Sequence, residues 1–374
     1  MDVAHVAMNG HGRRGLYLER SLFAALLLCL AADKTTADVL NMPPGLTSVE
    51  FVHVGHAGNP SRLSGAGAGG SGSDAVVGGV DYEFRMGTFE VTAAQYTEFL
   101  NAVASTSAYG LYVENMGSLG GSRSPRIIRS GVPGSFSYSV APDYANRPVV
   151  FVSWLNAARF ANWLTNGQPS GLPSAETTED GSYDLTGVNG IDGFAIAMAV
   201  TRRPGAKFVI PSEDEWYKAA YHANNGVTGD FWDYPTRSNT MPGNGLFSPD
   251  TGNSANYFNG ASGGFTLGSP YYRSEVGEFE NSGSAYGTFD QGGNVAEWNE
   301  SVYQHPQVGP LRGIRGGSYW SDGPIMQAAW RNGLGPGNTL DTVGFRMAWV
   351  PEPGAIALLV VAGALLHFRT SRRR

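Results

Sequence analysis

Three stretches of the chain repeat their apolar residues at helical spacing, and each opens on a side chain able to cap a helix. Thr92 and Gln95 form a capping-box pair ahead of Ala93 to Val103, where Tyr96, Phe99, Leu100 and Val103 make one apolar stripe. Ser153 precedes Trp154 to Leu164, whose Leu155, Ala158, Phe160, Ala161 and Trp163 face a core, and Asn166-Gly167 ends it. Ser212 with Glu215 opens Glu213 to His222, which carries Trp216 and Tyr217. The aromatics of all three are read as packing. Around them stand short apolar pieces, such as Pro148 to Val152 and Phe208 to Ile210, separated by long Gly, Asn and Ser loops without an internal repeat. This pattern predicts an irregular α+β domain, large for its regular secondary structure.

The two ends follow other rules. Arg13, Arg14 and Arg20 precede an apolar run from Leu22 to Ala32, and a small-residue cleavage point follows near Ala37, so 1–37 is expected to be a secretory signal. Cys29 lies inside that run behind Leu27 and Leu28, which do not suit lipidation. Segment 351–374 reads Pro351-Glu352-Pro353, an apolar stretch from Gly354 to Phe368, and then Arg369, Arg372, Arg373 and Arg374. Those 15 apolar residues fall short of the ~20 that a spanning helix needs. The order of these parts resembles the PEP-CTERM sorting signal of exported bacterial proteins. That resemblance implies a transient membrane anchor, a transmembrane helix held in the inner membrane until a sorting protease cuts the tail. A plain single-span anchor is the other reading. Residues 38–350 are left as the body.

Composition sharpens this picture. Only 15% of the 374 residues are charged and 52 are Gly, which excludes coiled coils and long amphipathic bundles. The 17 Tyr, 18 Phe and 8 Trp are too many apolar anchors for a disordered chain. The single Cys cannot form an intrachain disulfide or a thiolate cage. Residues 38–350 hold 17 basic and 28 acidic side chains, a net charge of −11. Nucleic acid is therefore not an expected partner, because binding to phosphates by counterion release needs a basic face. Acidic and amide side chains among many Gly suit calcium and sugar hydroxyls better.

Two motifs match by letter alone. Gly65 to Gly72 contains GxGxxG, yet no apolar strand leads into it and no helix follows, so a flexible linker is expected. Gly260-Ala261-Ser262-Gly263-Gly264 matches GxSxG without the strand-to-helix context of a nucleophile elbow.

Six further pieces occur in a fixed order: Phe89-Glu90-Val91-Thr92-Ala93-Ala94-Gln95-Tyr96; Pro148 to Trp154; Ile210-Pro211-Ser212-Glu213-Asp214-Glu215-Trp216; Gly293-Asn294-Val295-Ala296-Glu297-Trp298; Arg315-Gly316-Gly317-Ser318-Tyr319-Trp320; and Gly344-Phe345-Arg346. In order and spacing, over roughly 46–349, they resemble the formylglycine-generating-enzyme, or sulfatase-modifying-factor, family. The resemblance implies a C-type-lectin-like topology low in regular secondary structure. It also implies oxidation of a substrate cysteine by copper held between two cysteines. Here Ser321 stands at the first cysteine's place and Met326, counted without gaps, at the second. Cu(I) selects thiolates, which hydroxyls do not replace, so copper is not expected. No Cys follows Ala37. Ser318 matches a family serine beside the reaction centre and is read as a loop residue.

An iron branch of the family draws on clustered histidines, whereas the body offers His53, His56, His222 and His305. Strand alternation would send His53 and His56 to opposite faces, and a His222–His305 pair is left open. The resemblance further implies a calcium site made by Asp290, the Gly293 and Val295 carbonyls, and Glu297. Oxygen donors at short spacing suit a hard cation, and Gly292-Gly293 lets the backbone turn. Asp290 and Glu297 capping loop amides is the plainer reading. A second family site would begin at Asn256 and the Tyr257 carbonyl, but its downstream acid is missing from Ser262-Gly263-Gly264-Phe265.

Three functions compete. The favoured one is an exported, calcium-stabilised, non-catalytic protein of the cell surface that binds a peptide or an extracellular polysaccharide. An oxidoreductase of the same family with other metal ligands, such as histidine-bound iron, is the alternative. A structural matrix protein is the third.

Overall fold

The computed structural model describes residues 38–40, 48–119, 123–188, 194–261 and 263–351, all within one compact unit of the chain. The expected signal and nearly all of the expected sorting tail lie outside these residues. Among the described residues no helix is long and apolar enough to cross a membrane.

The three capped helices form where the pattern places them. Helix α1 is Ala93–Val103, and Thr92 and Gln95 make both bonds of the capping box. Helix α2 is Trp154–Thr165, where Ser153 Oγ accepts from the Asn156 N–H at 3.2 Å. A short helix not expected from the pattern, α3, spans Phe194–Ala199. Helix α4 is Glu213–Tyr221 with the Ser212–Glu215 capping box. Tyr96, Phe99, Leu100, Phe160 and Trp163 are fully buried in the main core, as the stripes require.

Two larger sheets stand beside three two-stranded pairs among the described residues. The strands Asp38–Leu40, Val49–Val54, Phe84–Gly87, Ala348–Trp349 and Phe208–Val209 lie side by side in that order, every neighbour antiparallel. The other sheet runs Asn332–Leu334, Gly309–Arg315, Ala296–His305 and Val343–Gly344, the last pair parallel. Segment 343–349 therefore passes from one sheet to the other, and Phe345 and Arg346 sit at the crossing. The Phe345 carbonyl accepts from Val91 N–H at 2.9 Å, and the Val91 carbonyl from Val149 N–H at 2.9 Å. The apolar piece 148–152 is extended and buried without being a strand, since Phe151 turns the chain at φ 63°. The irregular α+β class expected from the pattern is the observed one.

The glycine-rich stretch departs from expectation. Gly65 to Gly72 is a packed turn rather than a free linker: Gly65 N–H donates to the Ala329 carbonyl at 2.9 Å, and Ser71 pairs with Trp330. A Cβ on Gly70 would lie 2.1 Å from the Ala329 oxygen, so close backbone approach demands its glycine.

Candidate functional site: a buried acidic cluster, a serine loop and a cavity

Arg346 lies at the sheet crossing with its side chain fully buried. Its Nε donates to Glu297 Oε2 at 2.6 Å and Nη2 to Oε1 at 2.7 Å, while the Gly87 and Phe289 carbonyls accept at 2.9 and 2.7 Å. Trp216 of α4 adds a bond from Nε1 to Glu297 Oε2 at 2.8 Å. Glu297 is thus anchored by a bidentate pair, and two more acids face the same charge.

Asp290, at φ 60°, accepts from the Gly277 N–H at 2.6 Å, and burial raises its carboxyl to about 6. Glu90, in the segment leading into α1, is 2% exposed, and neither of its carboxyl oxygens has a hydrogen-bond partner elsewhere in the protein. Burial first, then the charges of Asp290 and Glu297, push it well above the ordinary range. Ionised, the three carboxylates outnumber the one guanidinium by two charges. A buried acceptor without a donor costs about 1–3 kcal/mol, so the cluster suits a doubly charged cation with oxygen ligands. Among the described residues no three acids or histidines already stand in coordinating positions.

Gly293 follows at φ 83°, where a Cβ would lie 2.2 Å from the Asn256 oxygen. That contact joins the loop to the second expected site. The Asn256 carbonyl accepts from Asn294 N–H at 2.7 Å, and its Nδ2 donates to the Tyr272 carbonyl at 3.0 Å and Asn294 Oδ1 at 3.1 Å. The Tyr257 carbonyl accepts from the Thr266 hydroxyl at 3.2 Å. The Asn256 and Tyr257 carbonyls are thus engaged, whereas the Asn256 side-chain oxygen is buried without a hydrogen-bond partner.

At the expected reaction centre, Ser318 and Ser321 bond to each other. Their hydroxyls are 3.3 Å apart, and Ser318 N–H donates to Ser321 Oγ at 3.0 Å. Met326 is fully buried in a separate apolar cluster with Tyr234, Ala255 and Tyr257. Beside the serines Tyr319 is buried, whereas Trp320 is 49% exposed, with the Arg123 guanidinium 4.0 Å from its ring centroid. His222 is buried and packs against His56, the centroids 6.1 Å apart, while His305 lies against Tyr303. Both ring nitrogens of His222 are engaged, Nδ1 with the Tyr286 hydroxyl at 2.7 Å and Nε2 with the Thr228 carbonyl at 3.1 Å.

Residues 77–351 match the model of the sulfatase-modifying factor enzyme 1-like domain. The chain belongs to this family. No curated protein matches the chain. Among solved structures it is similar to Treponema denticola variable protein 1, at 17% identity and a TM-score of 0.49, over 85% of this chain and 100% of that one. It is also similar to PvdO from Pseudomonas aeruginosa, at 19% identity and a TM-score of 0.47, with the same coverage of both chains.

This sulfatase-modifying-factor-like domain also has a cavity that the sequence motifs do not mark. It is about 970 Å³ in volume, with walls from the 106–113 loop, the start of α2 and the 335–339 loop. Glu90 is a further site residue outside the expected set, and its one sequence signal is an acid between Phe89 and Val91 just before a helix.

Proposed function

We propose that this protein is an exported, calcium-stabilised, non-catalytic member of the sulfatase-modifying-factor family that binds a peptide or a glycan at the cell surface. One observation carries the reading: where the family's copper chemistry needs a pair of thiolates, this chain has two mutually bonded serine hydroxyls and a methionine packed into a core. A scaffold with this crossing and cavity but without the sulfur ligands is better suited to holding a ligand than to oxidising one.

Calcium would be held by Glu90, Asp290 and Glu297 with the Gly293 and Val295 carbonyls, and it would neutralise buried charge and tie the loop to the sheet crossing. Export would use the 1–37 signal. Segment 351–374 would hold the precursor in the inner membrane until a sorting protease released the body.

Metal analysis of the purified, extensively dialysed protein is the direct test. Bound calcium without stoichiometric copper or iron is the expected result. Tight transition metal, or oxidation of a Cys-x-Pro-x-Arg peptide, would overturn the non-catalytic reading.

A further inference from the structure

The cavity also narrows the chemistry of its ligand, granted the binding role proposed above. Tyr109 lines it with 39% of its surface exposed. The Arg159 guanidinium stands 4.1 Å from the Tyr109 ring centroid and so backs the ring. Arg159 is itself buried and already neutralised. Its Nε and Nη2 donate to Glu179 Oε1 and Oε2 at 2.8 and 2.9 Å, and Nη2 also to the Val188 carbonyl at 3.0 Å. Among the described lining residues no other charged side chain occurs, so an ionic ligand would find no free partner.

The polar lining is otherwise amide and hydroxyl, chiefly Thr106, Asn338 and Thr339, since the Asn156 amide is buried and bonded to the Gly110 carbonyl and Arg159. Such groups both donate and accept. None of the described lining residues belongs to a strand, so the walls offer no free edge on which an extended peptide could pair. The volume lies near the upper end of ligand pockets, roughly 300–1,000 Å³, which leaves room for several rings. A sugar without charge presents C–H faces to an aromatic ring and hydroxyls to amides. We infer that this cavity binds a neutral saccharide stacked on Tyr109.

Tyr109 adopts φ 55°, a left-handed conformation that a glycine takes without strain. Tyr109→Gly therefore removes the ring while easing the backbone, which separates binding from folding. The full-length protein is to be tested against arrays of neutral and acidic oligosaccharides and against an extended-peptide library. Binding to neutral oligosaccharides is expected, weakened about tenfold or more by Tyr109→Gly and kept by Tyr109→Trp, with no fall in unfolding temperature for Tyr109→Gly. Recognition of acidic sugars only, or neutral-sugar binding that ignores Tyr109→Gly in a folded variant, overturns the inference. A peptide released by the same substitution defeats the saccharide assignment and leaves the binding role standing. No ligand of either class defeats both.

Discussion

Two buried charge clusters lie one turn apart along α4, and they are built in opposite ways. At the helix start, Glu213 is gripped by two arginines: Arg315 Nη2 is 2.6 Å from Oε1, and Arg331 donates to Oε1 at 2.8 Å and to Oε2 at 2.6 Å. Arg315 also reaches Ser64 and the Ala328 and Trp330 carbonyls. Burial alone would raise the Glu213 carboxyl, but the two guanidinium groups overcome it and hold it at about 2. One turn on, Trp216 touches the cluster of Glu90, Asp290, Glu297 and Arg346, where acids exceed bases and Glu90 has no donor outside its own backbone. The first cluster carries its own cations and is complete. The second is short of positive charge, and on the function proposed above calcium would supply it.

This contrast can be broken experimentally. Removing the acid from the complete cluster should cost most: Glu213→Ala leaves two buried guanidinium groups unpaired and is expected to destabilise by about 3–5 kcal/mol in denaturant titration, with or without calcium. Added calcium should act on the incomplete cluster alone. At a hundredfold excess over its dissociation constant the ion should add about 2.7 kcal/mol, reversed by a chelator, and an unchanged midpoint would remove the case for the site.

Acid should attack the complete cluster. Because the folded-state value of Glu213 lies below that of the unfolded chain, its contribution is full above about pH 4.3 and is lost as pH falls towards 2. Comparing the acid limbs of the parent and Glu213→Gln measures that loss. The smallest effect belongs to Glu90→Gln. Without calcium it replaces a carboxyl already pushed towards its neutral form, so stability should change by less than about 0.5 kcal/mol, while the calcium-induced gain disappears. A large loss in the metal-free variant would mean that Glu90 is a structural residue.

Much of the fold was legible because its signals are local. A cap and its third residue are one turn apart, so Thr92 with Gln95 and Ser212 with Glu215 mark helix starts without reference to the rest of the molecule. Less of the site was legible. Asp290 and Glu297 lie within eight residues and could be read together, but Arg346, which takes both oxygens of Glu297, is 49 positions further on. Glu90 joins them through long-range contacts: Val91 N–H to the Phe345 carbonyl at the crossing, and Phe289 N–H to the Thr88 carbonyl. The glycine-rich run at 65–72 reads as a linker for the same reason: Gly70 and Gly72 answer to Ala329 and Arg331, far along the chain.

By itself the sequence determined which chemistry is unavailable, since a body without cysteine cannot make a thiolate pair in any conformation. It also determined where helices begin and that the body is acidic. Tertiary structure alone decided which acids lack a counter-charge, that Arg159 is spent on Glu179, and that Tyr109 is left with its ring at a cavity. The physical reason is range. Capping and residue identity act within a few residues, whereas desolvation and charge balance are sums over groups that only folding brings together.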